Sequence, residues 1–112
     1  MIKFLKKFIK YNSEGKRYIF DSEIWKQNPE QRKYFVKSIL DKQLGIGYSK
    51  RELEEQYGRP NMMYLEEDRW SYTIEIKAKR KYVLAFYYEN GRVAFIKPEV
   101  RKLYHNGYAN NL

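Results

Sequence analysis

Residues 45–60 read GIGYSKRELEEQYGRP and specify both ends of one short helix, to which the other predicted elements can be related. The Ser49 hydroxyl can accept a hydrogen bond from the backbone N–H of Glu52. The Glu52 carboxylate can in turn accept one from the N–H of Ser49, and the two bonds together make a capping box. The pattern therefore predicts that a helix begins at Lys50.

The same stretch specifies where this helix ends and which side it buries. Gly58 provides the left-handed backbone that commonly terminates a helix, and Pro60 cannot continue one. The helix is therefore predicted to end at Tyr57. Its apolar residues are Leu53 and Tyr57, which lie four positions apart and form one narrow stripe. Such a helix needs other elements to pack against.

A second, longer helix is predicted upstream. Asn28 is a favoured N-cap residue, and Pro29 suits the first helical position. Apolar residues then recur at helical spacing over residues 30–44. These residues are Phe35, Val36, Ile39, Leu40 and Leu44. They give this helix a broader apolar face than that of the short one.

An antiparallel meander is predicted after the short helix. Residues 70–76 alternate between apolar and polar side chains, which is typical of a strand with one buried face. Residues 82–88 indicate a second strand, and Asn90-Gly91 is the two-residue turn most favoured for joining it to a third strand at 93–96. Residues 77–81, which read KAKRK, are interpreted as the polar connection between the first two strands.

Together these elements predict an α+β fold in one domain that covers residues 1–112. Two antiparallel helices pack on one face of a three- or four-stranded antiparallel sheet. A basic amino-terminal segment occupies residues 1–27, and the helical pair occupies 28–58. The sheet is predicted at 68–97, and a carboxy-terminal tail at 98–112.

The order of motifs within residues 44–96 resembles that of a known family. The motifs are a Ser-x-x-Glu-Leu helix, Tyr-Gly-Arg-Pro at its end, Trp-x-Tyr opening a strand, and Asn-Gly-Arg-Val closing a strand pair. They are similar to the outer-membrane lipoprotein domain called SmpA/OmlA and to the β-lactamase inhibitor protein fold to which it belongs. That family begins with a signal peptide and a lipidated cysteine, and this sequence shows neither. The resemblance implies a protein-binding scaffold without catalysis.

Composition and the first residues indicate the compartment. The sequence has no cysteine and hence no disulfide frame or thiolate nucleophile. The regular lysines of residues 1–10, MIKFLKKFIK, interrupt the apolar block that a signal peptide needs, so a cytoplasmic location is expected. Ile2, Leu5 and Ile9 would share one side of a helix, as in a membrane-surface anchor or a segment docked on its own domain. Docking is favoured, so no membrane partner is expected.

The net charge of +9 is unevenly distributed. Residues 1–20 carry a net charge of +5 and residues 77–102 one of +6, whereas residues 21–76 carry −2. This positive field predicts an acidic partner. The aromatic content of 18% would also suit nucleic acid, but the sequence has no RNA-recognition motif, zinc-finger spacing or Gly-x-x-Gly loop. An acidic protein is the preferred partner, and nucleic acid is the alternative.

Residues suited to catalysis or to metal binding are few. His105 is the only histidine, and it has no cysteine or second histidine with which to share a metal. The carboxylates within residues 52–55 and 66–68 are interpreted as a solvated helix face and a loop, because a catalytic pair needs one carboxyl group in an apolar site. No enzyme activity, cofactor or metal is expected.

The function expected from the sequence is that of a non-catalytic protein-binding module. A cytoplasmic immunity or inhibitor protein that neutralises an acidic partner, such as a toxin, fits the size of 112 residues and the resemblance to an inhibitor fold. The partner is expected on the exposed face of the sheet, where aromatic and arginine side chains combine apolar contact with charge. The predicted partner-binding residues are Trp70, Tyr72, Arg80, Tyr87, Tyr88 and Arg92.

Overall fold

The computed structural model describes residues 19–64 and 68–103, which form helices packed on one face of a four-stranded antiparallel sheet. The α+β fold class predicted from the sequence is confirmed. Strands follow one another in the sheet in the order β1-β2-β3-β4. The elements are α1 (Ser22–Gln27), a 3-10 helix (Pro29–Tyr34), α2 (Val36–Lys42), α3 (Lys50–Tyr57), β1 (Met62–Tyr64), β2 (Arg69–Lys77), β3 (Arg80–Glu89) and β4 (Arg92–Lys102).

Helix α3 has the ends that its sequence predicts. Ser49 Oγ accepts a hydrogen bond from Glu52 N at 3.2 Å, and Glu52 Oε1 accepts one from Ser49 N at 2.8 Å. The hydrogen bond from the Ser49 backbone lowers the pKa of Glu52. Gly58 ends the helix with a φ of +79°, and both Leu53 and Tyr57 are buried. The capping box and the apolar stripe are confirmed.

The single helix predicted over residues 30–44 is wrong in detail, because the chain forms a 3-10 helix followed by α2. Pro29 does open the first of these, but the side chain of Asn28 makes no capping hydrogen bond. Phe35 N donates to Arg32 O at 3.0 Å, a bond that spans three residues. Three residues per turn place Arg32 and Phe35 on the same side, and both side chains are buried.

The three predicted strands are present, and each of them is longer than expected. The connection between β2 and β3 consists of two residues, Ala78 and Lys79, because most of the predicted KAKRK loop belongs to the strands. Strand β4 extends to Lys102, beyond the end predicted at residue 96. The short edge strand β1, which pairs with β2, was not predicted as a separate element.

The core lies between the helices and one face of the sheet. The ring of Tyr57 is 5.2 Å from that of Trp25 and 4.8 Å from that of Phe86, both edge to face. The Tyr72 hydroxyl donates to the Gly58 carbonyl at 2.8 Å, and the Tyr57 hydroxyl donates to the Leu44 carbonyl. Burial raises the pKa of both tyrosines. These bonds fix the carboxy-terminal end of α3 and the loop before the helix to the core.

The glycine-rich loop before α3 is fastened to the edge of β4. Gly47 N donates to Val93 O, and Val93 N donates to Tyr48 O, each at 2.8 Å. Gly45 has a φ of +129°, and a Cβ atom there would lie 3.2 Å from the ring of Phe86. A side chain at position 45 would therefore be both strained and in close contact with the core.

Candidate protein-binding surface

Basic side chains gather at one end of the sheet because the strand register places them opposite one another. Arg80 pairs with Lys77 on one side and with Lys102 on the other, and Lys81 pairs with Arg101. The two-residue turn adds Lys79 at the tip of the hairpin. We call this cluster the basic end, and it consists of Lys77, Lys79, Arg80, Lys81, Arg101 and Lys102.

The basic end has few carboxylates to neutralise it. Within residues 19–64 and 68–103, the member of the cluster that forms an ion pair is Arg101, whose Nη2 lies 2.9 Å from Glu99 Oε1. Like charges on directly opposed strand positions destabilise a sheet. The arrangement therefore costs stability by itself and concentrates a positive field at one end of the molecule.

The turn at the tip of the basic end is strained. Ala78 and Lys79 have φ angles of +53° and +63°, in the left-handed region that disfavours residues with a Cβ atom. Such strain costs on the order of 1 kcal/mol per residue and is often found at functional sites. The turn places Lys79 at the tip of the hairpin.

Exposed aliphatic side chains accompany these cations. Ile76, which pairs with Lys81, is 59% exposed, and Val100, next to Arg101, is 41% exposed. Leu103 is also exposed, and its backbone N donates to Lys79 O at 2.8 Å. The basic end therefore combines positive charge with apolar surface.

Half of the predicted partner-binding residues lie in the core and do not belong to a binding surface. Trp70, Tyr72 and Tyr88 are 8%, 0% and 4% exposed and pack in the cluster between sheet and helices. The expectation that these three residues lie on the exposed face of the sheet is wrong, because the helices cover the face to which these alternate positions point.

Tyr87 lies on the opposite face of the sheet and is half-buried. Its hydroxyl accepts a hydrogen bond from Arg69 Nη1 at 2.9 Å and donates one to Glu99. Its ring stacks on that of Phe95, with a centroid distance of 4.5 Å. Burial is the main cause that raises the pKa of Tyr87, and the hydrogen bond to Glu99 adds to it. These contacts tie Tyr87 into a network of charged side chains, since Arg69 Nη1 also lies 2.9 Å from Glu99 Oε1.

Arg80 and Arg92 are exposed but stand at opposite ends of β3. Arg80 is its first residue, and Arg92 pairs with its last, Glu89, so the two arginines are about 30 Å apart. Arg92 Nη1 donates to the Gly47 carbonyl at 2.9 Å and lies 3.6 Å from Glu52 Oε1. The structure therefore does not bring the six predicted residues together, and Arg80 is the one that belongs to the basic end.

Sequence reasoning missed two features of this surface. The cluster depends on the end of β4, which brings Arg101 and Lys102 to the hairpin tip, and the net charge of residues 77–102 was its signal. The second feature is Arg32, which is buried beside the basic end and was not selected from the sequence. No local pattern marked it, because its hydrogen-bond partners Asn61 and Thr73 are 29 and 41 residues away in the chain.

The described part of the chain contains no group of three or more His, Cys, Asp or Glu side chains that could hold a metal ion. No helix within it is long and apolar enough to cross a membrane. His105, two of the three acidic residues at 66–68 and the amphipathic residues 1–10 lie outside the described residues.

Comparisons of the chain with protein-family models, with curated proteins and with solved structures found no match.

Proposed function

We propose that this chain is a non-catalytic protein-binding module whose basic end contacts an acidic surface of another protein. The observation that carries the proposal is the cluster of opposed cations beside exposed aliphatic side chains, in which the carboxylate paired with a cluster member, among the described residues, is Glu99 with Arg101. Charge complementarity steers association, and apolar contact supplies part of the binding free energy. An acidic partner would also remove the repulsion within the cluster.

Nucleic acid is the second candidate, because lysines and arginines also neutralise phosphates. Stacking of bases needs open aromatic rings. Among the aromatic side chains whose burial the structure describes, that of Phe95 is the one classed as exposed, at 43%. It pairs with Tyr87, near the end of the sheet remote from the basic end. The exposed apolar side chains next to the cations are aliphatic, which favours a protein partner.

Within the class of protein-binding modules, we propose a cytoplasmic immunity or inhibitor protein that neutralises an acidic toxin or enzyme. The small size, the net charge of +9 and the resemblance of residues 44–96 to an inhibitor fold support this proposal. Such a protein acts by covering a surface of its target and needs no reactive group of its own.

The test is affinity capture from nuclease-treated lysate of the native cell with three forms of the chain as bait. The forms are the wild type, a basic-end variant with Lys79→Glu and Arg80→Glu, and a control variant with Lys42→Glu and Arg51→Glu. Both variants lose the same net charge, and the control residues are exposed on α2 and α3. Treatment with nuclease removes proteins bridged by RNA.

We expect an acidic protein that is enriched by the wild type and by the control but not by the basic-end variant. Association of this protein with the basic-end variant should be at least about tenfold slower and less sensitive to salt. Equal capture by both variants would contradict the proposal, since binding would then depend on total charge and not on the basic end.

A further inference from the structure

A cleft beside the basic end has features of a small anion-binding site. It has a volume of about 530 Å³ and opens between the 3-10 helix and the second half of β2. Ile76 lies in its wall, and the next residue, Lys77, belongs to the basic end. This volume lies within the range of sites that hold small ligands.

The cleft is lined by a buried cation. Arg32 is 6% exposed, and its guanidinium carbon lies 5.0 Å from the centroid of the Trp25 ring. Its Nε donates to the Trp25 carbonyl at 2.9 Å. Its Nη1 donates to Asn61 Oδ1 at 3.1 Å and to the Thr73 carbonyl at 3.3 Å. All of these partners are neutral.

The charge of Arg32 has no counter-ion among the residues that the structure describes. No carboxylate lies within ion-pair distance of it, and Nη2 makes no hydrogen bond there. Desolvation lowers the pKa of Arg32, although the guanidinium stays charged at neutral pH. Buried charges in proteins are generally paired, because removing a charge from water without a partner is unfavourable.

A second hydrogen-bond donor stands next to the guanidinium. Asn61 Oδ1 accepts from both Arg32 Nη1 and the backbone N of Thr73, the latter at 2.8 Å. These two bonds fix the orientation of the amide, so its Nδ2 is left as a donor. Nη2 of Arg32 and Nδ2 of Asn61 are thus left as donors on two side chains that contact each other, and a carboxylate has two oxygens that can accept from them.

Two carboxylates and one more cation also line the cleft. Glu75 Oε1 lies 3.5 Å from Lys33 Nζ, which neutralises it, and Glu30 is exposed to solvent. The formal charges of the lining side chains therefore cancel. What selects an anion is the buried guanidinium of Arg32, which forms no ion pair with either glutamate, and not the total charge.

We propose that this cleft binds the carboxylate of an Asp or Glu side chain of the acidic partner, with Arg32 and Asn61 as its donors. The proposal rests on the proposed function, because the partner supplies the carboxylate. The basic end attracts the partner over a long range, and the cleft receives one side chain in a defined position. A charge-assisted hydrogen bond to a desolvated guanidinium is stronger than one at an exposed lysine.

Acetate is the probe, because it carries the same carboxylate as the proposed side chain. The full chain labelled with ¹⁵N is titrated with sodium acetate, and sodium chloride at equal ionic strength is the control. We expect saturable shifts of the Arg32 Nε–H signal and of the Thr73 and Glu75 amide signals, with a Kd on the order of 10 mM. Chloride should not produce them. Absence of saturation, or equal shifts with chloride, would overturn the proposal.

Asn61→Asp is the matched variant, because it places a carboxylate 3.1 Å from Arg32 within the chain itself. The substitution keeps the side-chain shape and the acceptor for Thr73 N, so the fold should persist. We expect acetate to bind at least about tenfold more weakly to this variant. Unchanged acetate binding would place the site elsewhere and would contradict the assignment to Arg32.

The basic-end variant with Lys79→Glu and Arg80→Glu separates this inference from the proposed function. Its affinity for acetate should change by less than about twofold, because Arg80 pairs with Lys77, four residues and about 13 Å along β2 from the Arg32 partner Thr73, and salt at physiological concentration screens charges beyond about 8 Å. Loss of acetate binding in this variant would show that the shifts report diffuse charge and would contradict the cleft site. If acetate binds to none of the forms, the cleft proposal is wrong. The proposed function is then judged by the lysate-capture experiment only.

Discussion

Ser49 shows how one side chain determines where a helix begins. Its hydroxyl accepts from Glu52 N, and its own N–H donates to the Glu52 carboxylate. Ser49→Ala removes the first bond, so we expect the free energy of unfolding to fall by about 1 kcal/mol. Urea denaturation at neutral pH measures this change in the free energy of unfolding. Ser49→Asp is the control, because aspartate is an equally good N-cap, and a loss as large as that of Ser49→Ala would mean that the cap is not the cause.

Single residues also show which features could be predicted from the sequence and which could not. Capping positions depend on neighbours in the chain, so Ser49 and Gly58 were interpreted correctly, whereas Asn28 makes no capping hydrogen bond because the segment after it is a 3-10 helix. Trp70, Tyr72 and Tyr88 were not interpreted correctly, because an aromatic residue in a strand suits either face of the sheet. Alternation divides the strand residues into two sets, but which set is buried depends on where the helices pack.

At the scale of elements, the two hairpin turns have similar backbones and unlike sequences. Asn90 and Gly91 have φ angles of +53° and +78°, and Ala78 and Lys79 have +53° and +63°. Asn-Gly is the pair that favours this geometry, whereas Ala and Lys are strained in it. The second turn therefore had no sequence signal, which is why the connection was predicted as a longer loop.

Relief of this strain should stabilise the protein. We expect Ala78→Asn with Lys79→Gly to raise the free energy of unfolding by about 1–2 kcal/mol. Ala78→Asn alone keeps every charge and should give a part of the gain, which separates strain from the loss of one lysine. Gly91→Ala should have the opposite sign, since nothing lies within 4 Å of a Cβ atom there and only strain is added. No gain in the double variant on denaturation would show that the turn is not strained.

The helical region shows a second limit at this scale. Apolar spacing over residues 30–44 predicted one helix, yet the first part is a 3-10 helix. Arg32 contacts Asn61 and Thr73, which no local window includes. The tighter winding turns this arginine inward, and the sequence pattern of a surface helix did not indicate that.

At the scale of the whole molecule, the fold was more predictable than the surface. The order of elements follows from local periodicity, so the α+β class and the meander could be derived. The basic end depends on the register of three strands, in which Arg80 of β3 lies opposite Lys77 of β2 and Lys102 of β4. The net charge of residues 77–102 indicated that the sheet is basic. The pairing register, which the sequence did not indicate, places these charges at one end of the sheet.

The charge of the whole molecule also makes the choice between protein and nucleic acid testable. Binding of a basic protein to duplex DNA releases counter-ions, and log K falls with log salt with a slope of about −0.9 per neutralised phosphate. We expect such binding to be steeply salt-dependent and no tighter than a Kd of about 1–10 µM at physiological salt. Fluorescence anisotropy with mixed-sequence DNA and RNA at several salt concentrations measures it.

The variants already defined provide the controls for this measurement. Non-specific attraction depends mainly on net charge, so the basic-end variant and the variant with Lys42→Glu and Arg51→Glu should weaken binding to similar extents. A specific nucleic-acid site would instead give a Kd well below about 1 µM at physiological salt and would be lost in the basic-end variant alone. That result would mean that the opposed cations bind phosphates of nucleic acid, and the protein-binding proposal would then be wrong.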